Sequence, residues 1–205
     1  MIVELQYFPN AAYFSLFMKQ EVVHLEQCEY FIKQTFRNRC SILTANGIDV
    51  LSVPVLEGNS KTLIRDLRID YSQKWVNRHW RAIQSAYGKA PFFEYYADEF
   101  KLILQQKPIF LFELNLSILT VCLKYLQIDK PLSFTTVYEN GSINPVEDIR
   151  SVIHPKKSYE PRIQYTPVAY AQVFGNNFAK DLSILDILFC EGPNAYQIIK
   201  SGINS

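Results

Sequence analysis

The stretch Ile2-Val3-Glu4-Leu5-Gln6-Tyr7-Phe8-Pro9-Asn10 leads into Ala11-Ala12-Tyr13-Phe14-Ser15-Leu16-Phe17, and then into Glu21-Val22-Val23-His24-Leu25-Glu26-Gln27-Cys28. Ile2 to Phe8 reads as a strand that stops at Pro9. Asn10 is a residue type that caps a helix, and Tyr13, Phe14 and Phe17 share one face of the short helix it would start. Glu21 to Cys28 is a second β-rich run. Strand, short helix and strand in succession predict a βαβ unit, with the usual right-handed crossover.

Working outward, Phe31 to Leu43 and Ile48 to Leu56 flank Ala45-Asn46-Gly47, a strong hairpin signal. Gly58-Asn59 marks another turn. Leu63 to Ile69 follows, with Leu63, Leu67 and Ile69 on one face, so an antiparallel meander is expected. From Ser72 the period changes to three and four, through Trp75, Val76, His79, Trp80, Ile83, Ala86 and Tyr87. Lys74, Asn77, Arg78, Arg81 and Gln84 fill the other side. Gly88 and Pro91 end this helix. Glu94 to Gln106 and Phe110 to Leu126 predict two more. Leu132 to Glu139 is β-prone and closes at Asn140-Gly141. Ser142 to Glu160 reads as an exposed loop, long enough to be mobile or functional. Arg162 to Tyr165 predicts a short strand, and Ala169 to Phe174 and Ser183 to Phe189 short helices, before a last segment from Pro193 to Ile199.

The expected fold is mixed α/β (α+β). An N-terminal βαβ unit leads into a mixed, partly antiparallel sheet with hairpins, followed by a helical region. One domain spans residues 1–205, with a sheet-rich part (1–70), a helical part (71–130) and a mixed C-terminal part (131–205).

The chain has 205 residues, 48% hydrophobic and 20% charged, values that suit a buried core. Its net charge of +1 gives no overall field toward nucleic acid or an anionic membrane. Pro108 to Ile128 is apolar but carries Glu113, Asn115 and Lys124, which argues for a buried helix rather than a membrane span. The opening Met1-Ile2-Val3-Glu4 does not resemble a secretory leader. Cys28, Cys40, Cys122 and Cys190 form no CxxC pair, and reduced thiols in the cytoplasm are expected.

Familiar nucleotide-loop and nucleophile-elbow motifs are missing, and His24, His79 and His154 lack zinc-site spacing. Four groups remain. Lys33, Thr35, Arg37 and Arg39 would share one face of a strand, a row suited to phosphate or carboxylate, or simply a solvated sheet face. His79 lies on the apolar side of its helix, either as a satisfied core residue or at the rim of a pocket. Tyr7 follows the first strand, where open α/β sheets hold ligands, or packs under a loop. Glu26 sits late in the second strand, as a ligand-binding carboxylate, a base or a surface residue.

These groups together resemble the WbqC-like family, named for a protein encoded among O-antigen biosynthesis genes. The matching residues are Tyr7-Phe8-Pro9, Lys33-Gln34-Thr35-Phe36-Arg37-Asn38-Arg39, Asn46-Gly47, His79-Trp80, Ala86-Tyr87-Gly88-Lys89-Ala90-Pro91, and Leu182 to Phe189 with Gly192-Pro193. The chain departs from the family pattern at Glu4-Leu5, Asn10, Ala12 and Glu26. The resemblance implies a bacterial cytoplasmic protein linked to surface-polysaccharide synthesis. It fits a transferase acting on a nucleotide-linked amino sugar, by acyl or aminoacyl transfer. On this reading Lys33, Arg37 and Arg39 hold phosphate or carboxylate and Asn38 orients it. Tyr7 and Tyr87 contact the sugar, and His79 is the general base, with Glu26 orienting a group or sharing that role. The rival reading is a non-catalytic ligand-binding or scaffold protein of a biosynthetic complex. Either way the expected partner is a small anionic or sugar ligand; the sequence specifies no cofactor.

Overall fold

In the computed structural model the described residues are 1–56, 61–138, 148–156 and 163–204. The N-terminal unit forms as its sequence dictates. Strand β1 (Ile2–Glu4) leads to helix α1 (Ala11–Lys19) and returns as β2 (Val23–Glu26), parallel to β1 with Ile2 beside His24 and Glu4 beside Glu26. The Asn10 side chain accepts from the Tyr13 N–H at 3.1 Å, satisfying an otherwise orphan donor of the first turn. Tyr13, Phe14 and Phe17 are fully buried in the core.

The hairpin is also present, as β3 (Arg39–Thr44) and β4 (Gly47–Ser52). The Thr44 hydroxyl closes its turn onto the Gly47 carbonyl at 2.8 Å. Gly47 takes φ +103°, a conformation that a side chain disfavours. The hairpin forms a sheet of its own rather than joining the parallel one. A third parallel strand, β5 (Leu132–Phe134), completes that sheet on the far side of β2.

Three expectations about strands and helices need correction. The run from Lys33 to Asn38 is not strand: residues 33–38 run in turns and bends, and only Arg39 enters β3. The Thr35 hydroxyl bonds the Ile32 carbonyl at 2.8 Å and Gln34 has φ +61°, so local bonds replace a ladder.

Leu63 to Ile69 is not a meander strand but an extended segment around a 3-10 turn, Ile64–Asp66. Single bridges tie Leu63 to Tyr30 and Ile69 to Val55. Ala169 to Phe174 is irregular rather than helical, because the Gln172 side-chain amide bonds both backbone groups of Ala179 at 2.8 and 2.9 Å.

The helical region comprises α2 (Trp75–Tyr87), α3 (Phe93–Gln106) and α4 (Leu111–Tyr125), and the chain closes with α5 (Ile184–Glu191) and α6 (Ala195–Ser201). Ser183 caps α5 through its side chain. The segment expected as a loop, Ser142 to Glu160, lies partly outside the described residues. Its described part, 148–156, is packed rather than exposed throughout: Ile149, Val152 and Ile153 are buried. Gly58-Asn59, Asn140-Gly141 and Arg162 also fall outside the described residues. Among the described residues no helix is long and apolar enough to cross a membrane.

Candidate functional site

Lys74, Arg78 and Arg81 follow one another at spacings of four and three, which places them on one face of the start of α2. They line a cleft of about 590 Å³ together with Ser52 at the end of β4, Trp75 and His79. None of the three cations has an ion-pair partner among the described residues.

His79 is 1% exposed, at the floor of this cleft. The Tyr7 hydroxyl lies 2.9 Å from its Nδ1, and the Ser52 backbone carbonyl hydrogen-bonds the ring. These partners favour the neutral tautomer with Nε2–H toward Ser52 and Nδ1 accepting from Tyr7. Burial, helped by the charge of Arg78, lowers the imidazole pKa to about 4, against the pull of the Ser52 carbonyl and Asp49. Burial likewise holds the Tyr7 phenol well above its ordinary value. Trp75 packs edge-on to His79 at 5.0 Å, and its buried indole Nε1 has no hydrogen-bond partner.

A second cleft, of about 300 Å³, is lined by Lys33, Gln34, Asn38 and Arg39 with Phe31 and Val55. The Asn38 amide donates to the Val53 carbonyl at 2.9 Å, while its Oδ1 is buried without a partner. The Arg39 Nε is also buried without a partner. The Lys156 ammonium hydrogen-bonds Gln34 at the rim.

Arg37 does not join this row. It is 1% exposed and grips Glu29 through two bonds of 2.7 and 2.6 Å, with a third to the Ser151 hydroxyl at 3.0 Å. Burial alone would pull its guanidinium down, and Glu4 and Glu29 outweigh that. Burial raises the Glu29 carboxyl in spite of its bonds to Arg37.

Glu26 stands at the end of β2 and is equally committed. Arg150, Thr135 and the Cys28 N–H donate to its oxygens at 2.7, 2.8 and 2.7 Å. With Glu4, which accepts from the Ser151 N–H at 2.9 Å, these groups clamp residues 148–151 alongside β1, where Asp148 bridges Ile2.

Tyr87 is fully buried and lines neither cleft. Its hydroxyl accepts from the Leu43 N–H at 3.3 Å and meets Asp186, joining a core network with Tyr170 and Gln172. The structure therefore brings Tyr7 to His79, and Lys33 to Asn38 and Arg39. It sends Arg37, Glu26 and Tyr87 into buried polar networks elsewhere. The cation row of α2 was visible as the polar side of a helix, and its spacing beside His79 was the signal for a lined cleft. Among the described residues no group of His, Cys, Asp and Glu could hold a metal ion.

The chain is 29% identical to the uncharacterized protein Rv1507c of Mycobacterium tuberculosis over 220 residues, covering 95% of this chain and 94% of that one. No solved structure gives a significant match. The profile of the WbqC-like protein family matches residues 6–163, a span that includes both clefts, the Tyr7–His79 pair and the hairpin between them. The chain belongs to the WbqC-like protein family.

Proposed function

We propose that the cleft between the end of β4 and α2 binds a nucleotide-linked amino sugar, and that the chain transfers an acyl or aminoacyl group to it in bacterial surface-polysaccharide synthesis of the O-antigen type. The observation behind this reading is His79, a buried neutral imidazole on the floor of a cation-lined cleft, backed by the Tyr7 hydroxyl. The cleft volume of about 590 Å³ is in the range of small-molecule sites.

The chemistry follows from the tautomers. A hydroxyl both donates and accepts, so Tyr7 supports either form of the ring. When Nδ1–H donates to the Tyr7 oxygen and the sugar amine displaces the Ser52 carbonyl as the partner of Nε2, the Nε2 lone pair takes a proton from the amine. The amine forms the new bond to the carbonyl carbon of an acyl ester or thioester donor, the carbon–oxygen or carbon–sulfur bond breaks with its electron pair on the leaving alcohol or thiol, and His79 returns the proton to it. Lys74, Arg78 and Arg81 draw the anionic part of the substrate and position it. The bound anion offsets the charge of Arg78, which raises the His79 pKa toward the range where a general base works best.

A second reading is a non-catalytic ligand-binding or scaffold protein of the same biosynthetic setting. It is favoured by the resting state of His79, in which both ring nitrogens have partners inside the protein.

A thermal-shift screen of nucleotide sugars, followed by turnover of the best ligand, separates the two. For the transferase, His79→Gln keeps ligand binding and loses turnover by roughly a hundredfold or more. For the binder, the ligand raises the melting temperature but no product forms. If no nucleotide sugar shifts the melting temperature, both readings of the cleft fail.

A further inference from the structure

Arg39 stands directly opposite Ser52 in the register of β3 and β4. Opposed residues of an antiparallel pair project from one face, with Cβ atoms about 5 Å apart. Arg39 lines the smaller cleft and Ser52 lines the larger one. One lining residue of each cleft therefore stands in this cross-strand pair. The Ser52 carbonyl is also the group that takes the His79 hydrogen bond, so Arg39 lies one strand from the imidazole.

We propose that the two clefts form one continuous basic groove for a diphosphate-bearing ligand. One phosphate sits at Lys33 and Arg39, and the other sits across Ser52 at Lys74 and Arg78. This deepens the reading of the α2 cleft given above and rests on it.

The pattern of pairing points the same way. Arg37 and Arg150 each hold buried carboxylates, whereas Lys33, Arg39, Lys74, Arg78 and Arg81 have no ion-pair partner among the described residues. The groove is thus a local concentration of positive charge on a chain whose net charge is only +1. Such a concentration attracts an anion with more than one charge.

The Arg39 Nε sharpens the case. A donor withdrawn from water with no acceptor is costly, so a turn of the side chain toward the cleft is favoured when a phosphate arrives whose oxygens match the guanidinium fork. A ligand with a single anionic group would need only one of the clefts. A diphosphate needs cations on both sides of a narrow wall, which is what the Arg39–Ser52 pair supplies.

Isothermal titration calorimetry of the full chain with inorganic phosphate, inorganic pyrophosphate and uridine diphosphate tests this. Arg39→Gln and Arg78→Gln are compared with the unmodified chain, after circular dichroism and melting temperature confirm folding. If Arg39→Gln fails to fold, Arg39→Lys, which keeps the charge and loses the fork, takes its place.

The expected result is that pyrophosphate and uridine diphosphate bind at least about tenfold more tightly than phosphate, and that each substitution weakens both by roughly tenfold. If Arg78→Gln weakens these probes and the Arg39 variant does not, the groove is overturned and the α2 cleft stands as a separate site. If none of the three probes binds the unmodified chain at millimolar concentration, the groove and the anion-binding part of the α2 cleft fall together.

Discussion

The Tyr7 hydroxyl and the His79 Nδ1 meet at 2.9 Å across 72 residues of sequence. Tyr7 comes from just beyond the first parallel strand and His79 from the first helix of the helical region. Their contact ties the two parts of the chain together at the floor of the cleft. Neither side chain is exposed, so the bond is strengthened by low dielectric and is costly to leave half-made.

Tyr7→Phe keeps the ring and deletes the hydroxyl, leaving a buried imidazole nitrogen without its partner. The expected loss is about 1–3 kcal/mol of folding stability, read as a lowered urea midpoint with an unchanged slope. A variant as stable as the parent would mean that the two groups do not share a hydrogen bond in solution.

His79 makes stability depend on pH. Its pKa is lowered from 6.5 to about 4 in the folded chain. The unfolded chain therefore binds the proton first on acidification. The His79 contribution is present above about pH 6.5 and is lost as the pH falls toward 4, amounting to roughly 3 kcal/mol at the limit. Glu29 and Asp186, whose pKa values are raised by burial, act in the opposite direction: their contribution is present at low pH and is lost as the pH rises. Subtracting the stability profile of His79→Gln from that of the parent isolates the histidine. The difference should grow in favour of the parent as pH rises from 4 to 6.5, and a flat difference would contradict the lowered pKa.

The two neighbouring arginines should behave in opposite ways. Arg37→Met leaves Glu29 buried and unpaired, with an expected loss of about 3–5 kcal/mol in chemical denaturation. Arg39→Gln breaks no ion pair and should change stability by less than about 0.5 kcal/mol. Equal losses would show that Arg39 has a structural partner.

How much of this was legible in the sequence depended on the range of the interaction. The βαβ unit, the Asn10 cap, the hairpin at Gly47 and the long helices follow from local pattern, and the sequence reading matched them. The row from Lys33 to Arg39 looked like alternating strand residues because composition does not reveal that Thr35 bonds back to Ile32 and that Gln34 turns left-handed.

Arg37 could not be told from Arg39 in the sequence. What separates them is Glu29, eight residues away, folding beneath one of them and not the other. Glu26 was similarly claimed by Arg150, a partner 124 residues distant. Tyr87 shares a helix face with His79, but at the far end of α2 that face meets α5 and Asp186 rather than the cleft. The cleft itself needed β4 and α2 to be placed together, which no periodicity encodes.

The most direct test is nitrogen-15 NMR titration of the His79 imidazole, in the free chain and in the chain saturated with uridine diphosphate. In the free chain the ring should be neutral at pH 7, protonated at Nε2, and should titrate near 4. With the diphosphate bound, the charge of Arg78 is offset and the apparent pKa should rise above its value in the free chain. A ring that titrates near 6.5 without ligand, or one whose pKa does not move when the ligand binds, would contradict an anion site built around His79.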